Sequence, residues 1–255
     1  MMTSGLRPTS TRTDEQVARE WDRLCKLRCD QIESGKDLSF TNVLLPMIIS
    51  LAEGLDHSDV LDVGCGTGFA TRAIATRSKK VIGIDSSKAS IENACQRIGN
   101  IKNIAFVHSS IEQYAEQHKK NSCSLAISNM MLMTAPNLGN AVKAISSLLR
   151  PSSHLAFTVC HPCFWPKYWQ YDSEPWFRYE EEIVIEAPFR ISLDSTATIA
   201  TTHVHRSLER YLAALEMNNL VVEKIMEPIP SLEVQEKYGK KWAFPRFLGM
   251  RCRKL

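Results

Sequence analysis

Long apolar runs are missing from the sequence: nothing approaches the roughly 20 residues that a membrane-spanning helix needs, and residues 1–12 lack the apolar centre of a secretory leader. A soluble, cytoplasmic protein without a membrane partner is expected. A strong charge of either sign is missing too. The 31 Lys and Arg residues against 28 Asp and Glu leave a formal +3 over 255 residues, which by itself calls for no nucleic-acid partner. Only the C-terminal end is locally basic, through Lys237, Lys240, Lys241, Arg246, Arg251, Arg253 and Lys254, and this reads as a solvated face. The eight cysteines show no disulfide framework and read as reduced thiols, several of them small apolar residues in apolar patterns. Cys160-His161-Pro162-Cys163 has no second ligand pair at zinc spacing and does not open a helix early in its domain. Neither a metal site nor a redox motif is expected from it.

What is present is concentrated in Val60-Leu61-Asp62-Val63-Gly64-Cys65-Gly66-Thr67-Gly68-Phe69-Ala70. A short apolar run ends in an acid and alternate glycines, and a helical pattern follows, so the stretch reads as strand, tight turn, helix. Such a turn lets backbone N–H groups close on a ligand that a Cβ would keep away. A dinucleotide fingerprint needs a third small residue at position 69, which holds Phe69, so a pyrophosphate turn is disfavoured. Lys80-Val81-Ile82-Gly83-Ile84-Asp85 is a second short strand ending in a carboxylate, placed to accept from both hydroxyls of a ribose. Together these residues suit a nucleoside without phosphates.

These two motifs resemble the first cofactor motifs of the class I S-adenosylmethionine-dependent methyltransferases, in their small-molecule branch. The resemblance covers roughly residues 40–255. It implies an α/β fold: a Rossmann-like, seven-stranded, mostly parallel sheet with helices on both faces, an N-terminal helical cap and an insertion after strand 5. It also implies S-adenosylmethionine as cofactor, with Asp62, Gly64, Cys65, Gly66, Gly68, Asp85, Ser86, Ser110, Ile111 and Asn129 around it. Ser110 stands where relatives commonly have an Asp against the adenine; its hydroxyl could serve there or cap the next helix.

Around that centre the pattern divides the chain into a flexible tail (1–12), a helical cap (13–57), the cofactor core (58–160), an aromatic-rich insertion (161–205) and a closing segment (206–255). Thr13-Asp14-Glu15-Gln16 has capping-box form and starts a helix to about residue 33; Val43 to Leu55 gives a second. Strands follow near 59–63, 80–84, 104–108, 123–128 and 154–160, with helices near 68–77, 87–98, 111–118 and 138–149. Glu181 to Phe189 and Thr196 to Val204 could pair as a hairpin, and Val221 to Ile229 and Phe244 to Cys252 resemble the family's final antiparallel pair.

Substrate chemistry is expected at the end of the fifth strand. His161 is the candidate base or orienter there, since a neutral imidazole can take a proton from a hydroxyl or amine as it is methylated. Trp165, Trp169 and His205 are the candidate acceptor contacts, with His203 second to them. Trp21 and Phe40 either pack in the core or border the cofactor, and Trp21 or Phe164 could face a sulfonium. The aromatic insertion suits a lid over an aromatic or apolar small molecule, in a monomer or homodimer. Three other readings stay open: RNA methylation, cofactor binding without turnover, and a nicotinamide oxidoreductase.

Overall fold

The computed structural model describes residues 5–194 and 199–255. Strand β1 (Arg7–Pro8) leads into helix α1 (Asp14–Glu33). Its start is fixed by a reciprocal cap, in which the Gln16 N–H donates to Thr13 Oγ1 at 3.2 Å and the Thr13 N–H donates to Gln16 Oε1 at 2.9 Å. Such a cap is worth about 1 kcal/mol. A wide π-turn (Phe40–Leu44) then runs into α2 (Leu45–Ala52). The sequence pattern suggested one regular helix here, but Pro46 has no N–H for the Asn42 carbonyl, and the preceding turn widens.

The core alternates β2 (Val60–Val63), α3 (Phe69–Ala75), β3 (Val81–Asp85), α4 (Lys88–Ile98), β4 (Ile104–His108), α5 (Ile111–Gln117), β5 (Cys123–Asn129), α6 (Leu138–Leu148) and β6 (Leu149–Cys160). After a short α7 (Trp165–Trp169) come β7 (Ile183–Pro188), β8 (Ala200–His205), α8 (Leu208–Glu216), β9 (Leu220–Met226), α9 (Leu232–Lys237) and β10 (Phe247–Lys254). The main sheet has seven strands in the order β4-β3-β2-β5-β6-β10-β9. The first five lie parallel, while β10 runs antiparallel to both β6 and β9. The expected seven-stranded, mostly parallel Rossmann-like sheet is therefore what the chain builds.

Parallel strands covered on both faces must be apolar throughout, and every residue of β2 is buried. One core layer, with Leu61, Ile145 and Phe157, faces α5, α6 and α8; the other, with Ile48, Leu51 and Ile74, lies under α2 and α3. Strand order reverses between β2 and its neighbours β3 and β5, and that switch point opens a crevice at the strand C-termini.

The insertion contains the expected hairpin, with β7 and β8 antiparallel from Ile183↔His205 to Pro188↔Ala200; its proposed beginning at Thr196 lies outside the described residues. The tail differs from expectation. Residues 1–4 lie outside the described residues, but Arg7 and Pro8 pair with Glu186 and Ile185 as the third strand of the hairpin's sheet. Charge explains the attachment: Arg7 Nη2 and Arg12 Nη2 meet the Glu186 carboxylate at 2.6 and 2.5 Å. No helix among the described residues is long and apolar enough to cross a membrane.

Candidate active site

The turn after β2 bends through left-handed backbone at Gly64 (φ +72) and Gly66 (φ +53). A Cβ on Gly64 would sit 2.4 Å from Met131 Cγ, whereas one on Gly66 would meet nothing within 4 Å, because Gly66 faces the crevice. Most N–H groups of this turn are spent inside the protein. Those of Gly64 and Cys65 donate to the Ile84 carbonyl, that of Gly66 to Asp85 Oδ2 at 2.8 Å, and that of Gly68 to the Cys65 carbonyl. The expectation that these amides close on a ligand is thus corrected: packing against β3 consumes them.

The crevice, about 200 Å³, is lined instead by acids. Among the described residues, Asp14, Asp62, Asp85 and Glu112 face it against the single guanidinium of Arg28, and that cation is answered by Asp37 at 2.8 Å. Such a lining repels phosphates and suits a ligand with cationic groups and hydroxyls. Asp62 Oδ2 accepts from Thr71 Oγ1 at 2.6 Å, but its buried Oδ1 has no partner among the described residues. Burial pushes this carboxyl up to about 7; the Thr71 hydrogen bond opposes the shift and the neighbouring Asp85 charge adds to it. Asp85, half-buried at the end of β3, is also pushed up by burial, against hydrogen bonds from the Ser87 and Gly66 amides. With one bond on each oxygen, it keeps lone pairs for two ligand hydroxyls.

Ser110 is both a helix cap and a crevice residue: its Oγ accepts the Gln113 N–H at 3.2 Å at the start of α5. At the end of β5, Asn129 Oδ1 accepts from Thr158 Oγ1 at 2.7 Å, which orients the amide at the crevice wall. The next residue, Met130, has φ +61, held there because its N–H donates to both the carbonyl and the hydroxyl of Thr158. Met130 itself lines the crevice, so these bonds hold a strained backbone at its wall. Cap helix α1 closes the opposite side, since Asp22 Oδ1 accepts from Ser87 Oγ and the Ala89 N–H and pins it beside Asp85.

A second cavity, about 430 Å³, shares Trp21, Arg28, Leu44, Met130 and Thr134 with the crevice. This volume is in the range of small-molecule sites. Its walls include Trp165 and Trp169 of α7, Phe189 of the insertion, and His203 of β8. His203 Nε2 is buried without a partner among the described residues, and burial, helped by nearby His205, lowers its pKa to about 4. The ring is therefore neutral at physiological pH.

Residues 55–209 match the sequence profile of the Methyltransferase domain family, more than half of the chain. The chain belongs to that family. Ubiquinone biosynthesis O-methyltransferase of Acinetobacter baumannii (strain ACICU) is 30% identical over 149 residues, 57% of this chain and 62% of the relative. The enzyme of that name from Vibrio atlanticus (strain LGP32) is 29% identical over 121 residues, 47% and 51% of the two chains. The chain thus spans less than two thirds of the length of these curated relatives. Among solved structures, an S-adenosylmethionine-dependent methyltransferase from Mesorhizobium loti is similar with a TM-score of 0.60 and 21% identity, over 82% of this chain and 96% of that one. The 1,6-didemethyltoxoflavin-N1-methyltransferase of Burkholderia thailandensis gives 0.60 and 16%, over 98% and 94%. At these identities the likeness concerns the fold.

Within this methyltransferase domain, Asp62, Gly64, Cys65, Gly66, Asp85, Ser86, Ser110, Ile111 and Asn129 come together around the crevice. Gly68 does not line it; a Cβ there would strike Ile98 Cδ1 at 2.8 Å, so its role is helix packing. Trp165 and Trp169 reach the second cavity, and Trp21 lies on the boundary between the two. His161 reaches neither. It is 3% exposed, its Nε2–H donates to Glu227 Oε1 at 2.6 Å, and its Nδ1 accepts the Cys163 N–H at 3.2 Å. Both ring nitrogens are committed, so the ring is a structural tie where a base was expected. His205 is also turned away, donating from Nε2 to the Tyr179 carbonyl and packed edge-on against Phe177. Phe164 stacks on Phe244, away from both cavities.

The basic C-terminal end is largely spent internally. Lys254 Nζ donates to the Ser146 and Leu149 carbonyls, and Arg253 pairs with Glu223 at 2.6 Å. Sequence reasoning overlooked Arg246 as a site residue and left it in the final strand pair; it lines the second cavity. The available signal was a lone arginine among Tyr238, Trp242, Phe244 and Phe247, a pattern that suits guanidinium stacking.

Proposed function

We propose that this protein transfers the methyl group of S-adenosylmethionine to an O, N or C atom of a small-molecule acceptor in the cytoplasm. The observation that carries the reading is an acid-lined crevice at the sheet's switch point, opening past Trp21 and Met130 into an aromatic-walled cavity. Asp85 would hold the ribose hydroxyls, Asp62 and Asn129 the methionine end, and Ser110 and Ile111 the adenine. The orphaned Asp62 Oδ1 and the open space above Gly66 both fit such a guest, and the four acids argue against a phosphate-bearing nicotinamide cofactor. The eight free thiols suit a reducing compartment.

Bound S-adenosylmethionine supplies an electrophilic methyl on a good leaving group, so positioning and exclusion of water are the main demands on the protein. Trp21 and the lid residues Trp165, Trp169 and Phe189 close the cavity around the acceptor. His203 Nε2 offers the acceptor one hydrogen bond; its low pKa makes it an orienting group rather than a strong base. The O-methyltransferase names of the curated relatives favour oxygen as the acceptor atom.

Calorimetry with S-adenosylhomocysteine, followed by a methyl-release assay against pooled small metabolites and bulk RNA, tests the proposal. Binding with release onto a metabolite is expected. Absence of binding removes the cofactor, binding without any release leaves a binding protein, and release onto RNA alone replaces the acceptor.

A further inference from the structure

Arg246 is a buried cation. It is 6% exposed and has no carboxylate within ion-pair distance among the described residues. Its guanidinium is clamped between the rings of Tyr168 and Trp242, each 4.0 Å from the guanidinium carbon. Nη1 donates to Tyr168 Oη at 3.1 Å. The remaining edge, Nε and Nη2, has no protein partner among the described residues and is not sealed from the cavity that Arg246 lines. Two parallel N–H groups on one rigid edge match the two oxygens of a carboxylate.

The rest of the lining has the same bias. Among the described residues, three arginines (Arg28, Arg190, Arg246) stand against one acid, Asp37, and that acid is already shared with Arg28 at 2.8 Å. The cofactor crevice next door has the opposite bias, with four acids. Burying a lone guanidinium is unfavourable unless something answers its charge. Burial lowers the Arg246 pKa, as expected of a cation held away from water, with Tyr168 and Tyr238 opposing the shift. Around it the cavity offers flat apolar surface from Trp165, Trp169 and Phe189.

We propose that the occupant of this cavity is an aromatic carboxylate, with Arg246 binding its carboxylate through the Nε–Nη2 edge and the lid aromatics covering its ring. The inference deepens the preceding reading by naming the acceptor class, and rests on it only in calling the occupant the methyl acceptor.

The test is binding of cinnamate, naphthoate and indole-acetate, each against its neutral amide, read by quenching of the cavity tryptophans in the full chain. At least one acid should bind the wild type about tenfold or more tightly than its amide. That preference should vanish in Arg246→Gln and shrink in Arg246→Lys, whose ammonium cannot make the paired contact. No acid surpassing its amide in the wild type, or a preference that survives in Arg246→Gln, overturns the proposal. If Arg246→Gln fails to fold by circular dichroism, Arg246→Lys decides, and an unchanged preference there overturns it. Phenyl phosphate binding more tightly than every acid also overturns it by making the anion a phosphate. S-adenosylhomocysteine calorimetry on the same samples separates the two readings: a carboxylate preference without cofactor binding removes methyl transfer and leaves this inference standing, and the reverse removes only this inference.

Discussion

The Asp62 carboxyl gives the fold an unusual pH dependence. Its proton is held to about 7 in the native chain against an ordinary 3.8, because the side chain is buried with one oxygen unpaired among the described residues. Between those values the native state binds a proton that the unfolded chain has released. The associated stabilisation is therefore complete below the ordinary value and lost as pH rises through about 7. At about 1.4 kcal/mol per pH unit, the difference amounts to about 4 kcal/mol in total, of which about 2 kcal/mol disappears between roughly pH 5 and pH 7. Against a typical domain stability of about 5–15 kcal/mol, that is readily measured. Asp62→Asn replaces the neutral acid with an isosteric amide that can still accept from Thr71 and does not titrate. Urea unfolding of both proteins across this range should show the wild type weakening relative to the variant as pH rises, with the gap levelling off above neutrality. Asp85 also titrates upward through burial; being present in both proteins, it leaves in the difference only its coupling to Asp62, which adds to the Asp62 shift. A gap that stays constant, or one that moves in favour of the wild type with rising pH, refutes the account of Asp62 as a buried, proton-holding acid.

Gly66→Ala should cost about 1–2 kcal/mol of folding stability for its left-handed backbone and a clearly larger factor in S-adenosylhomocysteine affinity, because the new methyl meets no protein atom and projects into the crevice; unchanged affinity by calorimetry would place the ligand elsewhere. His161→Ala should lower stability by about 1–3 kcal/mol in urea through loss of the Glu227 and Cys163 bonds. A tenfold drop in kcat at intact stability would instead return the ring to catalysis. Arg206 is fully buried and holds Glu182 together with the Leu132, Ala135 and Pro136 carbonyls, so Arg206→Met should cost about 3–5 kcal/mol, read from the urea midpoint.

The sheet was legible because parallel strands buried on both faces must be short apolar runs, and Val60-Leu61 and Val81-Ile82 stand out as such beside Asp62 and Asp85. Helix starts were legible where a side chain supplies the first hydrogen bond, as at Thr13 and Ser110. Side-chain direction was not. Whether His161 faces a ligand or a carboxylate depends on Glu227, 66 residues further on, and no local pattern reports that pairing. The same holds for the glycine turn, whose amides are consumed by Ile84 and Asp85 of the neighbouring strand. Arg246 escaped notice because its meaning lies in what is missing around it, and only packing shows that.

The hairpin of the insertion is strapped at several points to distant parts of the chain. Arg7 and Arg12 hold Glu186, while Glu20 receives the amide and hydroxyl of Thr202. The wall of the second cavity is consequently braced by residues 7–12, the cap helix and the insertion together. Transplanting residues 161–205 into a related scaffold would leave that wall without its moorings, so an exchange of the insertion between relatives has to carry residues 7–20 along with it.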